Sequence, residues 1–297
     1  MEKTLTIIEF MKRFGSEDSC KAFSAHQKWD EGFCCRCCDG AHSVKGRTRH
    51  HRRCGSCRFD ESATANTLFH KIKFPLPSAI AMVHLLATTK KGMSSCELTS
   101  QFGVHQEITR FFKRKVQKAM QAVENGVQLV DNVEVDEVFV GGREEGKPGR
   151  SKGSKSFALV SFEVDYSDPT RKKGKLKRCN AKVIDDASGE TLKRALEDSI
   201  DHTAVVTTDG WKGYLTAISG RWHIVEESNH GANFEALHWH IFNLKNWVRG
   251  IHHHIQSYLD EFNFRFNNRL QRGMQAMHIL TTMATTSKTS YLQLMAA

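Results

Sequence analysis

Val133-Glu134-Val135-Asp136-Glu137-Val138-Phe139-Val140-Gly141-Gly142 alternates β-branched residues with acids and stops at a glycine pair. That is the pattern of a strand with carboxylates in its middle. On a pleat Glu134, Asp136 and Val138 share one face, and Val133, Val135, Glu137 and Phe139 the other, so at least one acid points into a site rather than into bulk water. A second acid ends a short apolar strand in Ala204-Val205-Val206-Thr207-Thr208-Asp209-Gly210-Trp211. Two such tips could meet, and acids at neighbouring strand ends suit Mg²⁺, which prefers oxygen ligands held at a fixed spacing. The plainer alternative is that each Asp caps a turn.

The surrounding chain is basic and globular. Its 297 residues are 39% apolar with a formal charge of +10, enough for a sizeable core in two or three domains. The cations cluster at 47–53, 110–118 and 171–178, which suggests a polyanionic partner such as nucleic acid. No apolar run approaches the ~20 residues of a membrane span, and the first residues lack a signal pattern, so no membrane partner and a cytoplasmic location are expected. Nine cysteines, six of them between Cys34 and Cys57, favour metal ligation in a reducing compartment over disulfides.

Two Cys-x-x-Cys knuckles bracket fifteen residues, 39 to 53, which fits a zinc ribbon with four thiolates around one Zn²⁺. In the first knuckle Cys34 with Cys37 and Cys35 with Cys38 both have the required spacing. Cys35 and Cys38 are preferred, joined by Cys54 and Cys57, because Asp39-Gly40 then turns the chain after the second ligand and Cys34 continues a strand begun by Phe33. A helical lead is expected over 1–27, the ribbon over 28–72, and a helical segment over 73–128. In that segment a short helix, a glycine turn at Gly103 and a longer helix bearing Arg110, Lys113, Arg114 and Lys118 have the layout of a helix-turn-helix, although a plain helical bundle fits the same periodicity. With Arg47, Arg49 and Arg52 of the ribbon and Arg249 further on, these are the candidate DNA-binding cations. A mobile glycine- and lysine-rich loop is expected at 143–155. Strands at 156–164, 178–184, 204–209 and 223–225, with helices at 188–199, 211–218, 233–252 and 258–277, complete an α/β domain of mixed sheet and flanking helices over 129–280, followed by a C-terminal tail over 281–297.

On the helix expected over 233–252, Glu235, His238, Phe242, Lys245 and Arg249 fall on one stripe. Facing Asp136 and Asp209, such a stripe would complete a site for metal-assisted attack on a phosphodiester. The alternative is an amphipathic helix with its polar side in water.

Val135-Asp136-Glu137-Val138-Phe139-Val140-Gly141-Gly142, Thr208-Asp209-Gly210-Trp211, Leu244-Lys245, Arg249-Gly250 and Tyr258-Leu259-Asp260-Glu261-Phe262-Asn263-Phe264-Arg265-Phe266-Asn267 resemble the DDE transposases of ISXO-like bacterial insertion sequences. The ribbon running into Ser62-Ala63-Thr64-Ala65-Asn66-Thr67-Leu68-Phe69-His70 is similar to the N-terminal module of that group. The resemblance covers nearly the whole chain. It implies a ribonuclease H-like catalytic domain, catalytic Mg²⁺ or Mn²⁺, double-stranded DNA partners in the form of terminal inverted repeats and target, a homo-oligomer on DNA, and cutting and joining at 3′ ends. Asp136 then stands as the first acid, Asp209 as the second, and Lys245 as the basic residue seven positions after the third catalytic position, His238. The family pattern has an acid or amide there, which leaves His238 and Glu235, one turn earlier, as alternatives for the third ligand. It also leaves open a DNA-binding protein built on an inactive nuclease domain.

Overall fold

The computed structural model describes residues 6–140, 156–168, 170, 174–226 and 234–296. The chain divides into two compact units, one formed by residues up to 123 together with 270–296, the other by residues 124–269. The loop expected at 143–155 and the basic positions 171–173 lie outside the described residues.

The first unit opens with α1 (Ile7–Phe14) and α2 (Glu17–Trp29). Thr6 and Glu9 close a reciprocal capping box at the start of α1, satisfying amides that a helix N-terminus leaves unpaired. A small antiparallel sheet follows, β1 (Ser43–Lys45), β2 (His51–Cys54) and β3 (Asp60–Ser62). Phe33 is buried but neither it nor Cys34 is in a strand, so the expected strand leading into the first knuckle is absent. Glu61 of β3 is buried and takes Lys28 Nζ and Arg36 Nε, each at 2.7 Å, tying the knuckle to α2. The chain then becomes helical through α3 (Leu76–Thr88), α4 (Ser95–Phe102) and α5 (Gln106–Glu124).

The second unit carries β4 (Asn132–Val140), β5 (Ser156–Asp165), β6 (Lys175–Ile184), α6 (Gly189–Ser199), β7 (Val205–Thr208), α7 (Lys212–Ala217), β8 (Trp222–Val225), α8 (Glu235–Trp247) and α9 (Ile255–Asn267). The remaining α10 (Arg272–Thr285) and α11 (Tyr291–Ala296) belong to the first unit. There α10 buries Ala276, Ile279, Leu280, Met283 and Ala284. This i, i+3, i+4, i+7, i+8 stripe packs on α2 and α3. The sequence pattern had placed 270–280 in the catalytic domain.

The five-stranded sheet runs β6-β5-β4-β7-β8. β4, β5 and β6 are antiparallel, whereas β7 runs parallel to β4, and β8 parallel to β7. One face is covered by α8 and α9 through Leu237, Ile241, Leu244, Val248 and Leu259 over Val138, Val140, Val160 and Phe162. The opposite face packs Leu192, Leu196, Tyr214 and Ile218 over Val133, Val135, Leu159 and Val206. β4 thus buries apolar residues on both faces, Val133 and Val135 on one and Val138 and Val140 on the other, as a sheet covered on both sides requires.

Two helices differ from the sequence expectation. The helix expected over 233–252 stops at Trp247, with Gly250 at φ +79° and His254 at +55° turning the chain. The helix expected over 258–277 is two helices, because side chains take the last carbonyls of α9. Asn268 Nδ2 donates to Phe264 O at 2.8 Å, and Arg269 donates to Phe266 O and Lys177 O.

The amides of α9 have a structural task. Gln256 accepts from Val183 N, Asn263 pairs with both Ala181 N and Ala181 O, and Asn267 with Cys179 N and Cys179 O. These are the outward-facing backbone groups of the edge strand β6, and covering them blocks pairing with another chain. Asn263→Ala leaves a buried N–H and a buried C=O without a partner, each worth about 1–3 kcal/mol. Urea unfolding should therefore show a loss of about 2–4 kcal/mol; a loss under about 0.5 kcal/mol would contradict this role.

Candidate active site and nucleic-acid interface

The acids meet through strand register. β4 and β7 pair as Asn132 with Val205, Val133 with Val206, and Glu134 with Thr207. The same offset carried two residues further aligns Asp136 with Asp209. In-register residues of adjacent parallel strands point to the same side about 4.8 Å apart. That side is the one covered by α8. Just beyond β7, Asp209 Oδ1 accepts from Trp211 N at 3.1 Å. Gly210 at φ +84° makes this turn, and a Cβ there would lie 3.0 Å from Val225 Cγ1.

α8 supplies the rest. Its buried stripe sets its rotation, and His238, next to Leu237, falls at the rim with its Nδ1 4.0 Å from Asp136 Oδ2. His238 Nε2 is buried and has no hydrogen-bond partner. Burial and then the charge of Lys245 hold this imidazole below its ordinary pKa, against the opposite pull of Asp209. A neutral ring keeps a lone pair for an electrophile. Lys245 is exposed on the same stripe, and Arg249 is exposed in the turn that follows the helix. Glu235 opens α8, and its side chain lies outside the described set.

Two further acids flank the pair. Glu134, on the same face as Asp136, is buried and accepts a hydrogen bond from the Tyr166 hydroxyl; burial raises its carboxyl. Glu137 points to the opposite face beside Tyr214, and burial, with the nearby charges of Asp136 and Asp209, raises it as well. Trp239, on the side of α8 away from its apolar stripe, is exposed and stacked on Phe242, a pairing that residue spacing alone had not singled out.

The donor set of Asp136, Asp209 and His238 suits a divalent cation. Two ligands about 2.1 Å from one ion stand between about 3 and 4.2 Å apart, a range that includes the His238–Asp136 separation. Among the described residues, only Cys35, Cys38, Cys54 and Cys57 bring three or more ligand atoms within 4.8 Å of one another.

The four cysteines form a compact cluster. Cys35 Sγ is 3.5 Å from Cys57 Sγ, and Cys38 Sγ 3.6 Å from Cys54 Sγ. Tetrahedral sulfurs at about 2.3 Å from a metal lie about 3.8 Å apart, so the site fits such an ion. Backbone N–H groups of Cys57 and Ser56 aimed at Cys54 lower its thiol to about 6. Cys34 and Cys37 are exposed and outside the cluster.

The expected DNA-binding cations divide. Arg47, Arg49, Arg110, Lys118 and Arg249 are exposed. Arg52 lies over the Trp29 ring at 5.1 Å and lines, with Lys45, Arg49, His50 and His51, an open groove of ≈ 490 Å³ beside β1 and β2. Lys113 and Arg114 are each only 6% exposed. Lys113 Nζ donates to Met93 O and Arg114 to Gln117 Oε1, which corrects the expectation that they face a phosphate. The helix pair does turn at Gly103 in the left-handed region, and α5 exposes His105, Gln106, Glu107 and Arg110 around its start. A recognition helix reads base edges with that end. No helix among the described residues is long and apolar enough to cross a membrane.

Comparison with curated proteins gives no match. Residues 128–267, which carry β4 to α9 and with them Asp136, Asp209, His238 and Lys245, match the family model of the ISXO2-like transposase domain, and the chain carries a domain of that family.

Proposed function

We propose that the chain is the transposase of an insertion sequence, binding terminal inverted repeats and cutting and joining DNA strands at Asp136 and Asp209. The observation that carries this reading is the β4–β7 register, which, extended by two residues, would bring Asp136 and Asp209 level beneath α8, inside the segment that matches the transposase family. The strand order, with the third, second, first, fourth and fifth strands side by side, supports a ribonuclease H-like domain.

Asp136, Asp209 and His238 would hold Mg²⁺ or Mn²⁺, and the four cysteines Zn²⁺. Bound divalent ions ionise a water or a 3′ hydroxyl and carry charge on the leaving oxygen. The chain itself fixes the acids through sheet register, keeps the imidazole neutral through burial, and presents Lys245 to a phosphate two helical turns from His238, about 10 Å along the axis. Ribbon cations and the start of α5 supply duplex contacts, whose strength falls with salt by about 0.9 log units per neutralised phosphate for each log unit of salt. Cutting two ends requires two such acid sites, which favours a homo-oligomer on DNA.

The test is incubation of the full chain with a duplex ending in the terminal repeats of its element, with Mg²⁺ or Mn²⁺. Strand breaks at the repeat 3′ ends are expected. Binding without breakage under either metal would favour the second reading, a DNA-binding protein on an inactive nuclease domain, which the imidazole at the third position also favours.

A further inference from the structure

Trp239 and Phe242 are 65% and 55% exposed, and their rings stack at 5.9 Å and 26°. Two large aromatics facing solvent on one helix are an unusual use of apolar surface. Nothing in the core needs them, because α8 already buries Leu237, Ile241, Leu244 and Val248. Their place is specific. Phe242 follows His238 by four residues and precedes Lys245 by three, so it shares the stripe that borders Asp136. Lys245 therefore lies about 4.5 Å further along the axis, and Arg249 is exposed in the turn after the helix end.

We propose that the Trp239–Phe242 pair is a stacking platform for an unpaired nucleotide of the DNA end, held next to the acid pair while Lys245 and Arg249 take the adjoining phosphates. The proposal rests on the function argued above and adds the substrate form, a locally opened strand. Every base has a π-face, so an aromatic platform flanked by cations fits a single strand without requiring a sequence. A paired base inside a duplex cannot offer that face.

The experiment measures binding of a ten-nucleotide oligothymidylate to the full chain without added Mg²⁺ or Mn²⁺, by quenching of tryptophan fluorescence and by filter retention. Trp239→Ala and Phe242→Leu are compared with the unmodified chain, and circular dichroism confirms that each variant is folded. Loss of one stacked base corresponds to about a 5- to 150-fold fall in single-strand affinity, with fully paired duplex affinity unchanged. In the cleavage assay both variants should be slow on a paired end and recover on an end whose terminal base pairs are mismatched. Unchanged oligothymidylate affinity in both variants, or no measurable binding by the unmodified chain, overturns the proposal. So does a change confined to sedimentation, which would make the pair a contact between copies of the chain. Because the binding arm requires no cleavage, a chain that binds the single strand through this pair but never cuts DNA would refute the transposase reading and leave the platform standing.

Discussion

Asp136→Ala and Asp209→Ala should each lower metal-dependent strand cleavage by about 10³-fold or more while leaving duplex affinity unchanged or slightly higher. Metal stabilisation of a transferring phosphoryl group is worth several kcal/mol, and each 1.36 kcal/mol is a factor of ten in rate. The β4–β7 register carried on to Asp209 gives each acid its own side of the ion, so neither can stand in for the other. Neither is a cation of the ribbon groove or of the start of α5, and removing a negative charge cannot weaken attraction to phosphate. Single-turnover cleavage and band-shift titrations on the same preparations check both halves. A variant that keeps more than about a tenth of the cleavage rate, or that loses DNA binding in parallel, would contradict the assignment.

The second large effect is expected at the ribbon. Among the described residues its buried cluster is Trp29, Phe33, Cys35, Cys54 and Ala63, with Ala25 and Phe59 partly buried beside it, too little apolar surface to fold without a cross-link. Structural zinc supplies about 10–16 kcal/mol in comparable small modules, and that binding energy is folding energy. Elemental analysis should find one zinc per chain. Cys54→Ser should lose it, unprotect the amides of residues 30–63 in hydrogen exchange, and weaken DNA binding through the loss of the Arg49 and Arg52 surface. Cys34→Ser and Cys37→Ser should retain the metal, since both residues are exposed and outside the cluster. Zinc-free protein with a protected ribbon, or a Cys54→Ser variant with full metal content, would contradict this account.

Local signals were sufficient where the physics is local. Alternation with acids marked β4, an apolar run ending in Asp209 marked β7, and knuckle spacing marked the ribbon, because each reflects a short-range geometric requirement. The register that levels Asp136 with Asp209 was not readable, since it depends on which strands become neighbours. The fold then gathered the Sγ atoms of Cys35 and Cys38 with those of Cys54 and Cys57 and left Cys34 and Cys37 out, which spacing could not do. Lys113 and Arg114 misled for the opposite reason. Charge on a helix normally marks the solvent side, but here long aliphatic stems bury and the charged ends find Met93 O and Gln117 Oε1. The break between α9 and α10 was hidden because Asn268 and Arg269 end the helix with side-chain hydrogen bonds in place of a glycine or proline. Asn263 and Asn267, part of the family-like motif, seal the edge of β6, a role set by packing that the sequence alone did not show.

The central claim is that Asp136, Asp209 and His238 hold one divalent ion. Imidazole suits Mn²⁺ better than Mg²⁺, so the most direct measurement is Mn²⁺ binding to the zinc-loaded chain, followed by electron paramagnetic resonance. Asp136→Asn, Asp209→Asn and His238→Ala should each weaken Mn²⁺ at least about tenfold, the effect expected from losing one ligand or its support, while Glu235→Ala leaves it unchanged. Mn²⁺ affinity that survives His238→Ala and disappears in Glu235→Ala would contradict the claim and move the third ligand one helical turn toward the start of α8.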